Sequence, residues 1–199
     1  MGTPVNANVE FWRGVLGAGG FTTVPRWNCA PVPGVVEYEA AVPDDVVGAL
    51  CRLAEELEVP LSSVLLAAHA KVLAALSGEH EVATGYVAVE GGRPLPCRLT
   101  TEPDSWRTLL LNTHQVASEL LAHKDFPVDD LWRELELSEP SLETAFDPTG
   151  DGGDLAEGTA LWIGFPHRGD QLALRLRYRT DVLDADCAAR IAGYHLTAL

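Results

Sequence analysis

The chain has 199 residues, and its 14 Lys and Arg stand against 29 Asp and Glu for a formal charge of −15. That balance argues against a nucleic-acid backbone or an anionic membrane as partner. At 47% hydrophobic residues the chain has enough apolar material for a real core, and its length suits one domain or a large piece of a bigger one.

The longest nearly uncharged apolar run, Val59 to Ala70, is interrupted by Pro60, Ser62, Ser63 and His69. It falls short of the roughly 18 to 20 residues of a membrane span, so a water-soluble chain with no membrane partner is expected. The start, Met1-Gly2-Thr3-Pro4, lacks the basic and apolar stretches of a signal peptide, which points to a cytoplasmic location. Cysteines 29, 51, 97 and 187 form no C-x-x-C pair and read as reduced thiols.

In chain order, Gly14 to Gly20 follows Phe11-Trp12-Arg13 rather than a strand and reads as a loop, not a dinucleotide site. Val46, Val47, Leu50, Leu53, Ala54 and Leu57 recur at helical spacing, predicting an amphipathic helix over 44–57 capped by Asp44. After Pro60, Ser62 or Ser63 is the expected cap of a second helix. It is apolar on nearly every face, hence buried, and stops at Ser77-Gly78. Strands are expected over 81–89 and 95–101.

Asp104 or Ser105 should cap a helix to about His123 with Trp106, Leu109, Leu110, Val116, Leu120 and Leu121 on its apolar side. Pro127 opens a short helix to about Leu135. Strands at 142–146 and 161–165 flank an acidic glycine-rich stretch read as a mobile loop over 147–158. Gln171 to Tyr178 alternates, predicting a strand with one face on the core, and Asp184 starts a last helix. The order is mixed α/β. That last helix reaches Leu199 with no glycine stop and no Lys or Arg in its final turn, so the parent chain is expected to continue.

Little chemistry is announced by the residues alone. His69, inside the buried helix, reads as a hydrogen-bonded core residue. His80, His114, His167 and His195, on turns, helix surfaces or near the end, have no metal-site spacing. Asp151, Asp154 and Glu157 lack the pattern of a calcium loop, and no G-x-S-x-G elbow is present. Carboxylate pairs such as Asp44-Asp45 and Asp129-Asp130 read as solvated helix starts.

Several segments in order nevertheless resemble the C-terminal half of nonribosomal peptide synthetase condensation domains. Phe11-Trp-Arg-Gly-Val-Leu16 is similar to Y-W-R-x-x-L, and Val59 to Leu73 to the long buried helix. The series continues with Glu81-Val-Ala-Thr-Gly85, and Leu95-Pro-Cys-Arg98-Leu resembles the end of N-T-L-P-L-R-L. Ala122-His123-Lys-Asp125-Phe-Pro127 resembles A-H-Q-D-x-P, the most specific of the matches. Ser141 to Asp147 and Leu174 to Leu183 follow as looser ones.

The resemblance implies a chloramphenicol acetyltransferase-like two-layer α/β sandwich. It would be a single lobe, with a segment over 1–43 leading into a core over 44–199. It further implies a partner N-terminal lobe, and carrier proteins that present donor and acceptor on phosphopantetheine arms, with no cofactor bound directly. His123, Asp125, Pro127 and Arg98 are then motif residues with a structural role.

Two departures stand out. No histidine is followed four places on by Asp, so the family's H-H-x-x-x-D-G is absent, no catalytic residue is assigned, and whether the chain is an enzyme stays open. The stretch from Val89 to Leu95 is shorter than the family's floor loop, which should leave the tunnel more open. Two readings follow: one wall of an acyl-transfer tunnel, inactive alone, or a non-catalytic module that docks carrier proteins or neighbouring synthetase domains. Local basic spots at Lys71, Arg175, Arg177 and Arg179 are the expected docking points on so acidic a chain, and an exposed apolar seam would favour self-association.

Overall fold

The fold was obtained as a computed structural model that describes residues 4–89, 91–102, 105–134, 142–150, 155–169 and 171–199. In chain order, α1 (Pro4–Gly17), β1 (Val35–Ala41), α2 (Asp44–Leu57) and α3 (Leu61–Ser77) come first. The hairpin strands β2 (Glu81–Tyr86) and β3 (Leu95–Thr100) follow, then α4 (Trp106–Ala122) and α5 (Val128–Glu134). The last part is β4 (Thr144–Asp147), β5 (Leu161–Gly164), β6 (His167–Arg168), β7 (Gln171–Arg179) and α6 (Ala185–Ala198). Among the described residues the strands form one mixed sheet in the order β1-β7-β5-β4-β2-β3, with β6 folded back on β7. β2, β4 and β5 run parallel in the middle, and the remaining pairs are antiparallel.

Parallel strands need both faces covered, and β4 and β5 are buried at every position. Phe146, Leu161, Ile163, Leu174 and Leu176 have no exposure. Each such side chain contributes on the order of 1.5–3 kcal/mol of burial free energy. α3 packs on β2 and is flanked by α4 and α6, while α1 lies against β3 and α5. α3 is buried from Ser63 to Ala70, as its all-round apolar sequence requires, and closes on Gly78 in the left-handed region at φ 76°. No single helix among the described residues is long and apolar enough to cross a membrane, and α2 and α3 meet at 110°.

The expected helices over 44–57 and 62–76 are present, but their caps differ. Pro43 and Pro60 hold the two N-cap positions, so Asp44 lies inside the first turn and neither Ser62 nor Ser63 caps. Ser63 Oγ instead meets His114 Nδ1 at 3.2 Å. Ser105 caps α4 by accepting from Thr108 N–H, and Asp184 caps α6 by accepting from Cys187 N–H. Asp104, Ser141 and the acidic residues Asp151 and Asp154 lie outside the described residues. The strand expected over 81–89 ends at Tyr86, and Trp106 on α4 is 51% exposed rather than on the buried side.

Two larger corrections concern the first 43 residues. Gly14 and Gly17 are helical, so the loop expected over 14–20 is reduced to its last three residues. β1, a segment outside the expected strands although Val36-Glu-Tyr-Glu-Ala40 alternates apolar and charged residues, is a full strand paired with β7 over seven residues. β7 in turn is buried on both faces rather than one. On its second face Arg175 is only 7% exposed, held by Glu37 and Glu39 of β1 and donating to Gly150 O at 3.2 Å.

That second face tolerates no extra volume at Gly164. A Cβ there would sit 2.3 Å from Trp162 Cη2 and 2.7 Å from Gly150 Cα. Gly164→Ala is therefore expected to destabilise the fold by about 1–3 kcal/mol, read as a lower urea midpoint. An unchanged midpoint would mean that the Gly150 turn is not seated on the sheet.

Candidate functional site

The motif residues converge on α1 and on the corner between α4 and α5. His123 ends α4, and its carbonyl accepts from Trp12 Nε1 at 3.1 Å. The His123 ring stacks on Phe11 with centroids 4.4 Å apart, and its Nδ1 bonds the Asn8 side-chain oxygen. Arg98 on β3 grips the other end of the same helix. Its Nε donates to Val15 O at 2.9 Å, its Nη2 donates to Gly19 O, and its guanidinium lies over the Phe21 ring. His123 and Arg98, far apart in sequence, thus fasten one helix to the hairpin and to the corner.

Asp125 and Pro127 are exposed and do not join that clamp. They line a groove of about 270 Å³ between the corner and the β2–β3 connection. Val89, Leu95, Phe126 and Pro127 form apolar walls, while Arg93, Lys124 and Asp125 bring charge to it. The short connection turns tightly, with Gly92 N–H donating to Val89 O at 2.8 Å. The shortened stretch and the A-H-Q-D-x-P-like corner therefore face each other across one open groove.

A second polar constellation sits in the core, where sequence reasoning placed only His69. His195 Nδ1 lies 2.9 Å from Ile191 O and must donate to it. Its Nε2 is then an acceptor, so His69 donates from Nδ1 across 3.1 Å. His69 Nε2 accepts from Thr84 Oγ1 at 3.2 Å, and Thr144 donates to Thr84 at 3.0 Å. These tautomers follow from the network as a whole.

The chain of bonds ties α6, α3, β2 and β4 with every proton assigned one direction. Burial lowers the pKa of both imidazoles, that of His195 to about 4, and His69 falls further under the influence of His195. Both rings are fully buried and sealed from solvent. The arrangement locks elements together and offers no reacting group to a substrate. His195, read from the sequence only as a histidine near the end of the chain, is marked as buried by standing four residues after Ile191 and eight after Cys187 on one stripe of α6.

The remaining candidates are spoken for by their neighbours. The expected docking cations are paired: Arg175 with Glu37 and Glu39, Arg177 with Glu37, Arg179 with Asp181. Lys71 donates to Thr101 O and lies 5.8 Å from the Trp106 ring centre. The four cysteines form no disulfide, and burial pushes the Cys97 thiol up to about 12, which removes it as a nucleophile at neutral pH. Among the described residues no group of three His, Cys, Asp or Glu could hold a metal ion.

A mixed sheet with α3, α4 and α6 against it, clamped by α1 at one end, defines a single α/β lobe of the condensation-domain, chloramphenicol acetyltransferase-like fold. The condensation domain of the Monacolin K polyketide synthase MokA superposes with a TM-score of 0.74 at 15% identity, over 97% of this chain and 56% of that one. The X-domain from teicoplanin biosynthesis, also solved in complex with OxyB, gives 0.77 at 17% identity, over 98% of this chain and 54% of that one. In sequence the chain is 30% identical over 208 aligned positions to the AMB antimetabolite synthetase AmbE of Pseudomonas aeruginosa, covering 85% of itself and 10% of that protein. The chain thus spans about half the length of these solved domains and a tenth of the synthetase. No protein-family model matches it.

Proposed function

We propose that this chain is the C-terminal lobe of a nonribosomal peptide synthetase condensation domain. In this reading it forms one wall of the seam where a carrier-bound acyl or peptidyl donor meets an aminoacyl acceptor, each on a phosphopantetheine arm. The observation that carries the reading is the pair of coverages: nearly all of this chain superposes on only 56% of a condensation domain. Holding two tethered substrates at one seam supplies much of the acceleration through orientation. A histidine base adds about 10² to 10⁴ in rate, and none of the six histidines here has an Asp four places on. The lobe alone is therefore inactive, and its unpaired thiols suit a reducing, cytoplasmic setting.

The test is condensation between a donor-loaded and an acceptor-loaded carrier protein, with this chain alone and with a condensation-domain N-terminal lobe added in trans. No product is expected alone, and product is expected with the pair. Neither product nor a complex between the halves would sink the reading. The X-domain likeness favours a second reading, because that domain is seen bound to the protein OxyB. Carrier-protein binding that the N-terminal lobe leaves unchanged, with no product, would select the non-catalytic docking module instead.

A further inference from the structure

β3 closes one edge of the sheet: it pairs with β2 and with no other strand among the described residues. Three hydrogen bonds fix which of its backbone groups point outward. Ala83 N–H donates to Thr22 Oγ1 and Val87 N–H to Phe146 O, both away from β3, while Thr101 N–H donates to His80 O. Bonding alternates along an antiparallel ladder, so Leu95, Cys97 and Leu99 bond β2, and the N–H and C=O groups of Arg98 and Thr100 face outward. Pro96 also falls at an outward position, where its missing N–H breaks no bond to β2. Pro96 is buried, Arg98 half-buried and Thr100 exposed, so the open stretch of edge runs from Arg98 to Thr100. Among the described residues nothing pairs with the outward groups of these two.

A groove of about 280 Å³ lies between this stretch, Arg98 to Thr100, and the face of α4 that carries Asn112, Thr113, Gln115 and Glu119. Thr84, opposite Cys97, meets His69 of α3, so Cys97 and Leu99 point to the helix layer, and Arg98 points the other way to bond α1. Thr113 is only 1% exposed, and its Oγ1 is the one buried side-chain polar atom with no hydrogen-bond partner among the described residues. A buried hydroxyl of this kind is unfavourable until something bonds it. The charge on the α4 wall is a carboxylate, Glu119, which accepts from Gln115 at 3.1 Å through one oxygen. The nearby cations are engaged elsewhere: Arg98 bonds Val15 O and Gly19 O on the opposite face, and Lys71 donates to Thr101 O.

We propose that this groove takes a basic, extended segment of a partner protein, added to the sheet as a short antiparallel strand beside β3. Outward N–H and C=O groups two residues apart are matched by another extended main chain. Three residues of the segment suffice: the outer two exchange bonds with Arg98 and Thr100, and the middle one lies opposite Leu99. Residues directly opposite share a face of the sheet, so the middle side chain points to α4. There the Glu119 carboxylate, the amide oxygens of Asn112 and Gln115 and the Thr113 hydroxyl all accept from an ammonium group, which makes the middle residue a lysine. The charge of −15 draws a basic segment from longer range. The groove shares no residue with the one at the α4–α5 corner, so the inference stands apart from the condensation reading.

The test is an amide NMR titration of the isotope-labelled chain with the capped peptide acetyl-Thr-Val-Lys-Val-Thr-amide. The amides of Arg98, Thr100 and residues 112–119 should shift together, and those of Arg98 and Thr100 should gain protection from exchange. The same peptide with glutamate in place of lysine should bind about tenfold more weakly, and Glu119→Gln should shrink that difference. Thr113→Val keeps the shape and removes the unpaired hydroxyl. It should weaken the lysine peptide about fivefold, the effect of one hydrogen bond, at a melting temperature no lower than that of the wild type. The proposal is overturned if these amides stay still up to about 1 mM peptide, if the shifts fall on another surface, if the glutamate peptide binds equally well, or if Thr113→Val leaves the affinity unchanged.

Discussion

Acidification from pH 6.5 to 4 is expected to remove about 3 kcal/mol of stability through His195 alone, because burial lowers its pKa from 6.5 to about 4 and each pH unit between those values is worth about 1.36 kcal/mol. The unfolded chain takes up a proton on this imidazole near pH 6.5, whereas the folded chain resists until about 4. Between those values the unfolded state binds more protons, so stability falls as pH falls. Above 6.5 both states are neutral and the contribution is whole. His69, also lowered by burial, acts in the same direction.

Against a typical domain stability of 5–15 kcal/mol this is a large fraction. Urea unfolding at pH 7, 6, 5 and 4 measures it, with a His69→Leu, His195→Leu double variant as reference for the carboxylates that titrate over the same range. The wild type should lose stability more steeply than the variant. Parallel profiles would mean that the two rings are not sealed in the core.

Replacing Trp12 with alanine should cost about 3–5 kcal/mol, the usual range for a large aromatic removed from a core. The ring is fully buried, meets Phe11 edge-on at 5.1 Å, and its Nε1–H is spent on His123 O. Trp12→Phe keeps most of the packing and loses the hydrogen bond, for about 1 kcal/mol. Since α1 is gripped by His123 at one side and Arg98 at the other, the alanine variant should also raise hydrogen exchange at the α4–α5 corner. A thermal melt within about 1 kcal/mol of wild type, with the corner still protected, would show that α1 does not hold the groove wall in place.

These residues also show how far the sequence could be read. Trp12, Arg98 and His123 lie in segments that the motif resemblance marks. Nothing in their spacing says that one helix is fastened from both sides, because that depends on where β3 and the α4–α5 corner meet. The buried histidine chain is a similar case. His69 is legible as a core residue from the apolar helix around it, whereas Thr84, Thr144 and His195 join it only because β2, β4 and α6 are brought together.

Local periodicity and punctuation determine α2, α3, α4 and α6, since a turn of helix repeats the same face every 3.6 residues and Gly78 stops α3 without tertiary help. Three features were decided by tertiary structure instead. β1 is a strand because Arg175 and Arg177 give its glutamates partners, and α1 is a helix despite Gly14 because Trp12 and Leu16 are buried. β7 is covered on both faces because the Gly150 turn closes over Arg175. In each case the partners are distant in the chain; for β1 the alternation of Val36-Glu-Tyr-Glu-Ala40 is legible locally, but which strand it pairs with is not.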